Sequence, residues 1–177
     1  MLYVPTISNY KPFYVQFATG SAVNITTTYS VIVKTHDYPM ALKAKEPYKN
    51  QWKDQHGDEE YIGSDGLYFE AFTFKMDCVM LAKASSLDAA IADLKAGVVA
   101  FRNALSTGFF KTYDAWTGFG FQDVRLVEFP MPQNSDYGVF GKSARVIFSV
   151  TFKVNDPVTN LVLQNGQITT PTTQSTT

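Results

Sequence analysis

The chain has 177 residues, 45% of them apolar and 15% aromatic, with fourteen Phe and ten Tyr, which supplies the core of one folded domain and excludes a disordered chain. Fifteen basic residues stand against sixteen acidic ones for a net charge of -1 and no two Lys or Arg are adjacent, so the broad positive field of a protein that reads DNA bases is missing. The opening MLYVPTISNYKPFY has no basic segment and no long apolar run, and nowhere do about 18 apolar residues follow one another, so a soluble chain without a signal peptide is expected.

From Ser21, SAVNITTTYSVIVK alternates, with Val23, Ile25, Tyr29, Val31 and Val33 on one face and Asn24, Thr26, Thr28, Ser30 and Lys34 on the other. This predicts a long half-buried strand, with FYVQFA upstream as its hairpin partner and Gly20 at the turn. The pattern then stops for about thirty residues, and Thr35 to Asp65 reads as a long loop. Its aromatics Tyr38, Tyr48, Trp52 and Tyr61 carry an apolar body and a polar tip, as interface residues do.

A second long strand is predicted in GLYFEAFTFKMDCVMLAK, where Tyr68, Phe72, Phe74, Met76, Cys78 and Met80 share one parity and Thr73, Lys75 and Asp77 the other. Cys78, the one cysteine, falls on the apolar face and reads as a small hydrophobe. In SSLDAAIADLKAGVVAFRNALSTG the apolar residues Leu87, Ile91, Leu94, Val98, Phe101 and Leu105 form one helical stripe. A helix over about 86–106 follows, capped by Ser85 with Asp88 three positions on and stopped before Gly108. GFFKTYDAW and FQDVRLVEF flank TGFG as a hairpin; ARVIFSVTFKVNDP alternates as a third long strand, and Asn165-Gly166 marks a terminal hairpin.

The order gives α+β, mainly antiparallel β: a β-sandwich or partly open barrel with one packed helix. It makes one domain, 1–165, with the loop 35–65, followed by a C-terminal extension and polar tail, 166–177.

Chemistry is sought first in QWKDQHGDEEYIGSDG, where five acids surround His56. Zinc needs three or four ligands at short spacings, and no second His or Cys stands near. The acids lack the alternation and terminal Glu of an EF-hand loop, and adjacent carboxylates on an open loop are poorly tuned for proton transfer. No G-x-S-x-G, P-loop, dinucleotide or H-E-x-x-H motif occurs. The reading is of a non-enzyme with no cofactor and no metal site.

DYPMALKAKEPYKNQWKDQHGDEEYIG, GFFKTYDAWTGFGFQDVRLVEF and VIFSVTFKVNDPV, with the order of elements, resemble structural proteins of long-tailed bacteriophages, in particular tail-tube and distal-tail proteins, from Val31 to Val158. The resemblance implies a sandwich or open barrel that self-assembles into rings, commonly hexameric, around a channel for DNA. Its partners are copies of itself, other tail proteins and DNA in passing, with no membrane; its place is the virion tail, and the host cytoplasm during assembly. It implies an inter-subunit arm at Thr35 to Asp65 with Tyr38, Tyr48, Trp52 and Tyr61 at the interface, and channel faces at Asn24, Thr26, Thr28 and Ser30 and at Thr73, Lys75 and Asp77. Two other classes compete: a glycan-binding β-sandwich with Trp52, Tyr61 and Trp116 as stacking residues and calcium in the acidic loop, and an enzyme built on His56.

Overall fold

The longest alternation in the sequence makes the longest strand. In the computed structural model, which describes residues 1–38, 42–50, 59–62, 64 and 66–171, β11 runs from Ser143 to Gln164 and buries Ala144, Val146, Phe148, Phe152 and Val154 on one face. Its neighbours are β7 (Phe72–Lys83) on one side and β9 (Phe119–Glu128) on the other, both antiparallel. β7 contributes Phe74, Met76, Cys78, Met80 and Ala82 to the same covered face. The strand starts at Phe72, and Tyr68 is 61% exposed, so the apolar face is shorter than its parity in sequence predicts.

The fold is α+β and mainly antiparallel, a sheet curled into a half-barrel with one main helix. The sheet runs β1 (Leu2–Tyr3), β7, β11, β9, β8 (Phe110–Asp114), β2 (Phe13–Phe17), β3 (Val23–Asn24), with β4 (Ile32–His36) also on β7, and β10 (Tyr137–Phe140) and β12 (Gln167–Thr169) also on β11. Asn165 and Gly166 have φ of 50° and 72° in the β11–β12 turn, the two positive values a tight two-residue hairpin requires. β12 is held in the domain by Ile168, 1% exposed.

Two short helical or paired elements lie where the sequence predicts otherwise. Residues 21–34 are not one strand: α1 (Ile25–Tyr29) interrupts them. The Asn24 side chain accepts from the backbone N–H of Thr26 and Thr27, so a side-chain cap replaces the ladder. β5 (Tyr48–Asn50) and β6 (Glu59–Tyr61) pair as a separate two-stranded sheet inside the stretch read as a loop.

α2 (Leu87–Leu105) lies on β7 and β11 and buries Ala90, Leu94, Gly97, Val98, Phe101 and Leu105. Its N-cap is Ser86, one residue later than expected, with the hydroxyl accepting from Ala89 N at 3.2 Å. At Gly97, mid-helix, the Leu2 side chain packs close: a Cβ there would stand 2.7 Å from Leu2 Cδ1. Beneath the helix, Phe101 meets Tyr29 at 5.4 Å and Phe148 at 6.3 Å between ring centroids. A second aromatic chain links Phe121, Tyr38, Phe74, Phe152 and Phe110, each step 4.9–5.8 Å. Each fully buried ring of this kind stabilises the fold by about 1.5–3 kcal/mol relative to exposure.

Candidate functional site

Among the described residues no helix lies on the face of the sheet opposite the core. The register sets its rows: Thr73, Lys153 and Arg125 lie side by side across β7, β11 and β9; Lys75, Thr151 and Glu128 form the next row; Thr35, Asp77 and Ser149 the next. Asp77 is the polar hub. It accepts from Ser149 Oγ at 2.6 Å and from Thr35 Oγ1 at 3.2 Å, with Lys75 Nζ at 3.8 Å. The Ser149 hydrogen bond above all holds its carboxyl below the ordinary carboxylate range. Lys153 opposite Arg125 places two like charges across the strands, which is mildly destabilising.

Further along the same face the character changes. Val79 pairs with Ile147, and Leu81 has Tyr3 on one side and Arg145 on the other. Ile147 is 38% exposed, Tyr3 40% and Phe140 62%, with the Arg145 guanidinium 5.4 Å from the Phe140 ring centre. One uncovered face thus carries a polar strip and an apolar strip.

Of the channel-facing residues, Thr73 and Lys75 are exposed and Asp77 half-buried on this uncovered face. The other expected set does not form a face. Asn24 caps α1, and Thr26 is buried, bonded to Val31 O at 2.8 Å and to the Tyr10 hydroxyl at 2.9 Å; Thr28 is exposed on the helical turn. Consecutive Ile25 and Thr26 are both buried, which helical geometry permits and the half-buried alternation expected of this stretch does not.

Of the four aromatics assigned to an interface, Tyr38 is corrected to the core. It is 6% exposed, packs edge-on against Phe13 and Phe74, and bonds Thr112 Oγ1 through its hydroxyl at 3.0 Å. Burial pushes its pKa up. Tyr48 and Tyr61 are register partners in β5–β6; Trp52 and His56 lie outside the described residues. Residues 42–47 run against 67–70 through an Ala44–Phe69 bridge, a Lys45 N to Tyr68 O bond of 2.8 Å and a surface Lys43–Glu70 pair.

A cleft of ≈ 560 Å³ opens between the 7–11 segment, β4 and the β8–β9 turn. On its floor Asp114, 2% exposed, accepts from Trp116 N at 3.1 Å and Thr117 N at 2.9 Å, and His36 Nε2 stands 3.4 Å away. Burial works against the charged carboxylate, and these hydrogen bonds outweigh it, so the acid is held below its usual range. Tyr38 N donates to His36 Nδ1 at 3.4 Å, which leaves Nε2 as the ring nitrogen that faces Asp114. Both imidazole nitrogens therefore have partners within the fold.

Sequence reasoning misses the His36–Asp114 pair because strand order alone brings the two together. The signal that existed was the D-A-W-T-G of the turn, where Asp bonds the backbone two and three residues on. Among the described residues no group of three His, Cys, Asp or Glu side chains stands together to hold a metal ion. No helix among them is long and apolar enough to cross a membrane. No known family model matches the chain, and no curated protein matches it.

Proposed function

We propose that the chain is a virion structural protein that assembles into rings of a long bacteriophage tail, as tube or distal ring, its copies joined through the uncovered sheet face and the 35–65 segment. The observation that carries this reading is the apolar strip on that face. Ile147, Tyr3 and Phe140 are exposed together on one side of a sheet whose other side is filled by α2. Water-facing sheets need no such strip, whereas a face that meets another subunit does.

The polar strip beside it supports a surface along which DNA moves. Lys75 and Asp77 offset each other, and Thr73, Thr151 and Ser149 add neutral hydroxyls. Such groups hold phosphates weakly, since each Lys or Arg paired with a phosphate adds salt-dependent affinity. Lys153 and Arg125 are the cationic end of the strip.

Negative-stain imaging of the purified protein beside Ile147→Asp, with circular dichroism to confirm that both fold, tests the reading. Rings for the wild type and smaller species for the variant are expected. No assembly by the wild type, or equal rings from both, overturns it.

A further inference from the structure

We infer that the outer edge of β10 pairs with the same edge of a second copy of this chain, antiparallel about a two-fold axis at Val139, so that two sheets run on as one. This goes beyond ring assembly and does not rest on it: the contact is made by a strand edge rather than by the uncovered face, and it needs two chains only.

Three observations carry it. The first is that β10 is an open edge. Among the described residues it pairs with β11 alone, in unbroken register. By contrast β4 is covered by Tyr10, whose hydroxyl accepts from Val33 N at 3.1 Å, and the terminal hairpin lies along β2 and β3, with Ile168 N bonded to Gln16 Oε1 at 2.6 Å and Ala22 N to Gly166 O at 2.8 Å. Tyr137 to Phe140 hold no charge, proline or bulge, the devices that keep edge strands from pairing. Val139 is 51% exposed.

Second, the backbone sets the register. Tyr137 N donates to Asn134 O, so it is not spent on β11. Antiparallel alternation then turns Tyr137 and Val139 outward and Gly138 and Phe140 toward β11. With the Tyr137 N–H taken, Val139 is the residue of β10 that presents both backbone groups outward, and two copies that set Val139 against Val139 exchange both hydrogen bonds across the axis.

Third, this register complements itself. It sets Gly138 opposite Phe140 of the second copy. A Cβ at Gly138 would stand 2.8 Å from Arg145 Nε, so the Arg145 side chain lies across the glycine and its stem gives the incoming ring apolar cover. The same register sets Asp136, just before β10, opposite Lys142, in the turn just after it. Among the described residues Lys142 makes no ion pair within its own chain, and the two-fold axis brings each lysine to the other copy's acid, once on either side of Val139.

The test is sedimentation of the full chain at low salt over a concentration series, in the wild type and on an Ile147→Asp background that removes assembly through the uncovered face. A reversible two-chain species is expected in both. Lys142→Glu and Asp136→Lys each set like charges opposite one another and should weaken it about tenfold; an equal mixture of the two variants should regain it, since each supplies the charge the other lacks. Val139→Pro deletes the exchanged N–H at an edge position and should leave single chains. Circular dichroism checks that every variant folds, and if Val139→Pro does not, the charge exchange decides alone. A wild type without the two-chain species overturns the inference, as do pairs that persist unchanged in Lys142→Glu or in folded Val139→Pro, or a mixture that associates no better than its components. Pairs lost in Ile147→Asp would assign the contact to the uncovered face and overturn the inference while leaving the ring reading intact.

Discussion

Two stretches of this chain alternate apolar and polar residues almost equally well, 21–34 and 144–154, and they fold differently. The second is the centre of β11, paired with β7 along its whole length and with β10 or β9 at both ends of its other edge, and Val146, Val150, Phe152 and Val154 are fully buried. The first breaks into β3, a helical turn and β4. In it the Asn24 carboxamide takes two backbone donors, Thr26 Oγ1 bonds Val31 O, and Ser30 adopts a left-handed φ of 56°. A period of two therefore makes a strand where a neighbouring strand runs its whole length, and yields to local caps where Asn, Thr and Ser offer the backbone other partners.

The largest expected effect is on the β11 side of this contrast. Phe152→Ala removes a ring packed against Phe74 and Phe110 and should cost about 3–5 kcal/mol in denaturant unfolding. In the broken stretch, Ser30→Val puts a β-branched residue at a left-handed position and should cost about 1–2 kcal/mol. A neutral result there would mean that 21–34 takes up the alternating strand its sequence suggests. Asn24→Ala removes the cap of α1 and should cost about 1 kcal/mol in the same assay.

Acid separates the two stretches by charge. Residues 21–34 contain no carboxylate, whereas β11 is tied to Asp77 and carries Asp156. Burial alone would raise the Asp156 pKa, but the bonds from Gln122, Thr159 and Val158 prevail and lower it. The folded pKa values of Asp77, Asp114 and Asp156 all lie below the unfolded ones. Their stabilisation is therefore complete above the ordinary carboxylate range of about 4 and is lost as pH falls through the lowered values. Unfolding monitored against pH should show their contribution level from pH 7 to about 5 and declining below about 4; a decline that begins near neutrality would contradict these contacts. The smallest effect is a gain: Lys153→Thr removes the like-charge pair with Arg125 and should raise stability by a few tenths of a kcal/mol at low salt.

What was legible in the sequence is what many residues vote for at once. Six apolar residues in one stripe mark α2, and the parity of Val146 to Val154 marks β11; Asn165-Gly166 marks its hairpin through a backbone conformation that few residues adopt. The cap of α2 was off by one because Ser85 and Ser86 are chemically equal and only geometry chooses between them. Tyr38 reads as an interface residue because it is an aromatic with a polar tip in a stretch without periodicity; its neighbours in space, Phe13, Phe74 and Thr112, come from other strands. The His36–Asp114 pair was hidden for the same reason. The β5–β6 pairing was obscured because short strands rich in charge carry no period to read.

The most direct measurement on assembly is the mass of the purified protein by light scattering across a concentration series. Ring assembly through the uncovered face requires a species several times the 19.7 kDa of one chain, growing with concentration and reduced by Ile147→Asp. A mass that stays at one chain throughout, at every salt concentration, would contradict it.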